Sequence, residues 1–241
     1  MQLPIFFSEK TGALNEILTL DEDTSKHVVQ VLRMQKGELL QLTDGKGNLV
    51  NGQIIDAFKK NSTVRIIEAQ FIPRPERMTA IAISLLKNSN RFEWFLEKAT
   101  ELGIQEIVPL ICDRTTRQHF RFERMQSLLV SAMLQSQQAW LPEFHEPVRF
   151  NKFMEGFQEP AEEAGEYQKF IAHCIDEDGK QDLRDLVNTS LNGIVLIGPE
   201  GDFSKEEIEL AARHQFVPVS LGATRLRTET AGIVAATLLR S

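Results

Sequence analysis

The sequence predicts an α/β protein in two parts, a small β-barrel over residues 1–72 and a domain with a mainly parallel sheet over residues 73–241. Three observations predict it. The first 72 residues read mostly as short strands with one helix. Pro73-Arg74-Pro75 then places two prolines where neither a helix nor a central strand passes easily. Beyond it, apolar strands alternate with amphipathic helices.

In the first part, Leu39–Thr43 is a strand, Asp44-Gly45-Lys46-Gly47-Asn48 a turn, Leu49–Phe58 a second strand and Thr63–Ile67 a third. One helix is expected over Thr24–Met34, capped by Asp23 or Thr24, with Val28, Val31 and Leu32 on one face. In the second part, Thr79–Leu86 reads as a buried strand and Arg91–Leu102 as a helix stopped by Gly103. Ile107–Ile111 is the next strand and Phe122–Gln138 the next helix. Lys169–Cys174 (strand), Asp182–Leu186 (helix), Gly193–Ile197 (strand), Ser204–His214 (helix), Val217–Leu221 (strand) and Thr228–Leu239 (helix) complete the alternation. Glu155–Glu166 reads as an acidic solvated loop.

With 42% hydrophobic and 25% charged residues, the 241-residue chain falls outside the disordered and fibrous classes. Two cysteines, Cys112 and Cys174, make no disulfide framework, so a reducing cytosol is the expected compartment. No apolar run reaches the roughly 20 residues of a membrane span, and the N-terminus shows no export signal. The five histidines are scattered, so no metal site is expected. Net charge is −7, and residues 131–241 carry most of it, with 10 basic and 18 acidic side chains, whereas residues 73–130 carry 9 and 7. Any polyanion must therefore be held by a local basic face.

Two stretches carry chemistry. In Ile194–Ser204 an apolar strand runs into Gly198-Pro199-Glu200-Gly201, and Ser204 caps a helix with Glu207 at the capping-box position. Glycines at 198 and 201 allow positive φ and close approach of backbone to a ligand, at the carboxyl end of a strand where α/β sheets bind ligands. In Val219–Ala231 a second strand ends at Gly222, and Thr224, Arg225, Arg227, Thr228 and Glu229 lead into the last helix. A tight turn and a salt-bridged helix start account for these stretches equally well when each is taken alone. Neither a P-loop nor a dinucleotide fingerprint is present.

The pairing of IGPEGDFS with LGATRLRTETAG resembles the RsmE-type ribosomal RNA (uridine-N3) methyltransferases of the SPOUT superfamily. His27–Met34 with Gly37, and Lys98–Ile104 with Ile107 and Pro109, are similar to further segments of that family. Asp202 stands where the family usually has glycine, Thr224 where it usually has arginine, and its EQSGR-like helix motif is reduced to Gln135-Ser136. The resemblance implies an N-terminal PUA-like RNA-binding barrel, a C-terminal SPOUT methyltransferase domain with a trefoil knot, and a homodimer. It implies S-adenosyl-L-methionine as methyl donor and N3 of a uridine in small-subunit (16S) ribosomal RNA, free or assembled, as acceptor. It places Leu196, Ile197, Gly198, Glu200 and Gly201 on one side of the cofactor and Leu221, Gly222, Leu226 and Arg227 on the other. Arg227 would stabilise the developing uridine anion and Glu229 assist loss of the N3 proton, or hold Arg225 or Arg227.

Arg114, Arg117 and Arg121, with Arg124, His119, Phe120 and Phe122 interleaved, form a run suited to phosphate contact and base stacking; Arg33 is a second RNA candidate. A solvated helix face with two core phenylalanines explains the same run. Trp94 and Trp140 read as core or interface residues, and the final helix, apolar almost all round, as buried by the knot or by a partner subunit. Two other readings stay open: a non-catalytic RNA-binding ribosome-assembly protein that keeps the fold, and a Rossmann-like oxidoreductase. If local cations hold RNA, its affinity falls with added salt through counterion release. Arg114→Glu with Arg117→Glu is then expected to weaken RNA binding severalfold and leave cofactor affinity unchanged; a filter-binding titration across salt concentrations measures both the slope and the loss.

Overall fold

The computed structural model describes residues 3–116, 120–157, 167–175 and 180–240. It has two compact units, Met1–Arg74 with Met133–Leu141, and Pro75–Ala132 with Pro142–Ser241.

The first unit is a five-stranded sheet in the order β1-β3-β4-β5-β2. Its strands are β1 (Ile5–Phe7), β2 (Ile17–Thr19), β3 (Leu39–Thr43), β4 (Asn48–Asp56) and β5 (Thr63–Phe71). Alternate residues point inward, so Leu40, Leu42, Ile54, Val64 and Ile66 form the core with Phe6 and Val28. The β3–β4 hairpin closes on Asp44, whose carboxylate accepts from Lys46 N at 2.8 Å and Asn48 Nδ2 at 2.7 Å.

The expected helix over Thr24–Met34 is a correction. Helix α1 covers only Glu22–Lys26, and Asp21 rather than Asp23 or Thr24 caps it, accepting from Thr24 N at 2.8 Å. His27–Val31 then widens into a π-helical turn. This turn buries Val28 and leaves Val31 and Leu32 67% and 44% exposed, so the predicted apolar face does not form. The segment ends on Arg33 at φ 56, and three valines in five residues disfavour α-helical packing there. Trp140 also belongs to this unit, donating from Nε1 to Ile72 O at 2.8 Å with its ring edge-on to Phe71.

The second unit is an eight-stranded sheet in the order β11-β13-β10-β12-β6-β7-β8, with β9 also pairing β7. The strands are β6 (Thr79–Ser84), β7 (Glu106–Ile111), β8 (Glu143–Phe144), β9 (Val148–Arg149), β10 (Tyr167–Ala172), β11 (Gln181–Asp182), β12 (Asn192–Ile197) and β13 (Val217–Ser220). Every pairing is parallel. All six residues of β6 and of β12 are buried, the signature of strands covered on both faces. The covering helices are α2 (Ser89–Glu101), α3 (Phe122–Gln135), α4 (Phe150–Gly156), α5 (Leu183–Leu186), α6 (Lys205–Arg213) and α7 (Thr228–Arg240). Helix α2 runs from an Asn88 cap to Gly103 at φ 78 and buries Phe92, Phe95, Leu96 and Ala99. Helix α3 stops short of the expected Gln138, where Gln137 turns left-handed at φ 58. Among the described residues no helix is long and apolar enough to cross a membrane.

Helix α7 approaches α2 closely because residue 232 has no side chain. A Cβ on Gly232 would lie 2.6 Å from the Phe95 ring and 2.9 Å from Ile83. Gly232→Ala is therefore expected to cost about 1–3 kcal/mol of overpacking strain and to lower Tm by roughly 3–10 °C. An unchanged thermal transition would show that α2 and α7 can separate without penalty.

Candidate functional site

Three parallel strands end at the same level. Ala172 of β10 pairs with Ile197 of β12 on one side and with Val219 of β13 on the other. The two glycine-bearing strand ends are thus not neighbours: β10 lies between them and contributes its own exit, His173-Cys174. Sequence reasoning missed this wall, although Asp176-Glu177-Asp178-Gly179-Lys180 follows it closely, because strand order is not legible in a single sequence.

After β12 the chain turns through Gly198–Asp202 into the capping box of α6. Ser204 N donates to Glu207 Oε2 at 2.8 Å, and Glu207 N donates to Ser204 Oγ at 3.2 Å, as the spacing predicts. Positive φ at Gly198 and Gly201 is not found; the left-handed residue of this turn is Asp202, at φ 66. The glycines serve closeness instead. A Cβ on Gly198 would lie 3.0 Å from the fully buried Phe203 ring, and one on Gly201 3.4 Å from the Arg114 side chain. Asp tolerates the left-handed region through local hydrogen bonding. Here Asp202 Oδ1 accepts from Phe203 N at 2.9 Å and Oδ2 from Cys174 N at 2.8 Å.

After β13, Gly222 takes φ 119, and nothing lies within 4 Å of where its Cβ would be. Ser220 Oγ accepts from Gly222 N and donates to Gly222 O, both at 3.1 Å, fixing the bend. After β10, Lys180 Nζ donates to His173 O at 2.7 Å and Ile175 O at 2.6 Å.

The three exits enclose a cavity of about 730 Å³, within the range of small-molecule sites. Of the expected cofactor residues, Ile197, Gly198, Glu200, Leu221, Gly222, Leu226 and Arg227 line it. Leu196 and Gly201 do not; Leu196 is wholly buried in the sheet core. Glu229 is not in the lining either: it is 6% exposed and sits behind the cavity, 3.6 Å from Arg91 Nε rather than on Arg225 or Arg227. Arg225 and Arg227 are exposed at the cavity. Glu200 Oε1 accepts from Lys87 N at 3.2 Å, linking the β12 exit to the β6 exit.

The arginine run behaves differently from a free basic face. Arg114 Nη1 donates to Gly201 O at 2.8 Å and Phe203 O at 3.2 Å, so its guanidinium holds the β12 turn. Asp113 takes part in the same clamp, accepting from Ser204 Oγ at 2.8 Å and donating its N–H to Glu207 Oε1 at 2.9 Å. Arg124 forms a two-pronged bond to Glu93 at 2.9 and 2.7 Å, and that hydrogen bonding holds the Glu93 carboxyl below the usual carboxylate range. Arg121 is exposed; Arg117, with His119, lies outside the described residues. Arg33 is exposed in the first unit, apart from the cavity-bearing unit in the chain's division. Arg114→Glu would remove donors that hold one of the cavity's turns, which argues against the expectation that the double variant leaves cofactor affinity unchanged.

Residues 62–240 match the RNA methyltransferase domain family and residues 20–67 the RNA methyltransferase PUA domain. The chain is 30% identical over 227 residues to a ribosomal RNA small subunit methyltransferase E of Synechocystis sp., covering 90% of this chain and 71% of the relative. It is 28% identical to the protein of that name from Rickettsia conorii, covering 95% and 91%. Among solved structures, ribosomal RNA small subunit methyltransferase E from Neisseria gonorrhoeae, bound to S-adenosylmethionine, superposes with TM-score 0.83 at 26% identity, covering 98% of this chain and 95% of that one.

Cys174 is exposed at the cavity, whereas Cys112 is buried, and burial pushes its thiol well above the ordinary range. Native protein is therefore expected to take up one equivalent of iodoacetamide at mildly alkaline pH, on Cys174, and two after unfolding. Peptide mass mapping that finds Cys112 labelled in the native state would contradict the burial.

Proposed function

The chain belongs to the RNA methyltransferase family whose domain it matches over residues 62–240, and on that premise we propose that it is an S-adenosylmethionine-dependent enzyme that methylates N3 of a uridine in small-subunit ribosomal RNA. The observation that carries this reading is the cavity at three level strand ends, with one wall left open at Gly222. Its chemistry suits the cofactor: Ile197, Leu221 and Leu226 offer an apolar slot for an adenine ring, and Glu200 offers a carboxylate to an ammonium group. The Neisseria gonorrhoeae structure carries the same cofactor, and the relatives are named for the same RNA. Such an RNA places the enzyme in the cytosol, where small subunits are assembled.

When bound, S-adenosylmethionine supplies a sulfonium methyl group, which needs no metal for transfer. The protein's part is positioning. Backbone at Ile197–Gly198 and Leu221–Gly222 fixes one reactant, and an in-line approach of the other supplies much of the acceleration. Arg227, exposed at the cavity beside Arg225, is a cation available to a uridine that loses its N3 proton. Glu229 acts behind it, on Arg91 at the start of α2, and so orients the first turn of α7 rather than touching the substrate. Arg33 and Arg121, both exposed, remain as phosphate contacts. A homodimer fits the outer surface, where Trp94 on α2 is 44% exposed and Ile233, Val234 and Leu238 on α7 are half-buried.

Mass mapping of methylated uridines in ribosomal RNA, with and without the protein, tests the activity; an identical map would leave the non-catalytic reading. Gly222→Val fills open space at a strained φ and is expected to weaken S-adenosylhomocysteine binding at least tenfold. Normal binding by that variant, read by calorimetry, would remove Gly222 from the cofactor wall. Sedimentation at micromolar concentration is expected to give a dimer, and a monomer would leave α7 and Trp94 without a partner.

A further inference from the structure

We propose that Asp202 and Lys180 are positioning residues that hold the peptide at His173–Ile175 as the third wall of the cavity, and that this hold sets cofactor affinity; the affinity part rests on the function proposed above. Beyond Ala172 the chain leaves the sheet, and backbone groups that lose their strand partners must find others. Here the partners are charged side chains. Cys174 N–H goes to Asp202 Oδ2 at 2.8 Å, and His173 O and Ile175 O are bridged by Lys180 Nζ at 2.7 and 2.6 Å. Charge-assisted bonds of this kind are the stronger ones. The same Asp202 carboxylate accepts from Phe203 N at 2.9 Å, so one side chain ties the exit of β10 to the exit of β12.

The backbone at 202 argues for the same role. Its φ of 66 lies where glycine is at ease and a side chain is not. A residue with a Cβ sits there because its carboxylate does something glycine cannot. Both Asp202 and Lys180 line the cavity, so the bonds they make lie on the surface a ligand meets. Removing the carboxylate frees the Cys174 amide and lets the β10 wall move. The ligand must then order that wall itself, which weakens binding without unfolding the protein.

The test uses the full chain with three readouts: calorimetric binding of S-adenosylhomocysteine, the thermal transition without ligand, and hydrogen exchange of the Cys174 amide without ligand. Asp202→Gly removes the carboxylate and relieves the left-handed backbone together, so the fold is not penalised. It is expected to weaken binding about tenfold or more, to leave Tm unlowered, and to speed exchange at Cys174. Asp202→Asn keeps an acceptor and tolerates the same φ, and it is expected to stay within threefold of wild type in binding and to retain the slow amide. In turnover, Asp202→Gly should raise KM for S-adenosylmethionine more than it lowers kcat. Asp202→Gly binding as tightly as wild type, or an unchanged Cys174 amide, overturns the proposal. So does Asp202→Asn failing as badly as Asp202→Gly, since charge rather than the bond to Cys174 would then be at work. Wild-type protein that binds no S-adenosylhomocysteine would sink the cofactor assignment and the affinity claim with it, while the Cys174 amide would still report separately whether the tie exists.

Discussion

The contact between the Phe203 ring and the bare backbone of Gly198 is the constraint on which the site depends. The ring is fully buried beneath the turn, and its edge comes so near residue 198 that a Cβ there would lie 3.0 Å away and push the ring from its place. This fixes the height of the β12 exit relative to the sheet. From that fixed point the neighbouring loops are hung: Arg114 on the carbonyls of Gly201 and Phe203, Asp113 on the α6 cap, Lys87 N on Glu200, and Cys174 N on Asp202. Three connections that are far apart in sequence, at Lys87, Asp113-Arg114 and Cys174, are thereby brought to one turn. A cavity built this way is pre-formed, and a ligand entering it spends little on ordering the walls.

Much of this was legible in the residues. The alternation of apolar runs and amphipathic helices, Gly103 as a stop, and Ser204 with Glu207 as a capping box are local signals, and the structure carries all three. The two glycine turns, ambiguous when taken singly, pointed to one pocket only as a pair, and both line the cavity. What the sequence hid was non-local. That β10 separates β12 from β13 depends on strand order, which no local pattern encodes. The α1 region failed for a different reason: Val28, Val31 and Leu32 have helical spacing, but the barrel needs only Val28, and a π-turn turns the other two outward. Residue type also misled where a cation or a carboxylate had two uses. Arg114 looked like a phosphate ligand and is a carbonyl clamp; Glu229 looked like a proton acceptor and is paired with Arg91.

That second point bears on how an acidic protein handles an acidic polymer. Of the cations in residues 73–130, Arg114 is committed to the β12 turn and Arg124 to Glu93. Among the described residues of this stretch Lys87 and Arg121 are left exposed, and Arg225 and Arg227 are exposed at the cavity. Each cation committed to the fold is one fewer for phosphate, which lowers the salt dependence of binding by that much.

The place of β12 in the sheet also governs when the sheet can form. Its partner β6 is made early, yet Met78 N is satisfied by Asn192 Oδ1, 114 residues further on. Until that stretch has been synthesised, β6 has a partner on its β7 side only, and the β10 edge waits as well. The loops that must close first are long, and closure of long loops precedes any reward from pairing, so such topologies fold slowly. At typical synthesis rates the growing chain spends several seconds with apolar strand edges unpaired. The strand that delivers the first cavity turn therefore also ends this exposed interval for β6, and the cavity is complete only when β13 and its exit follow.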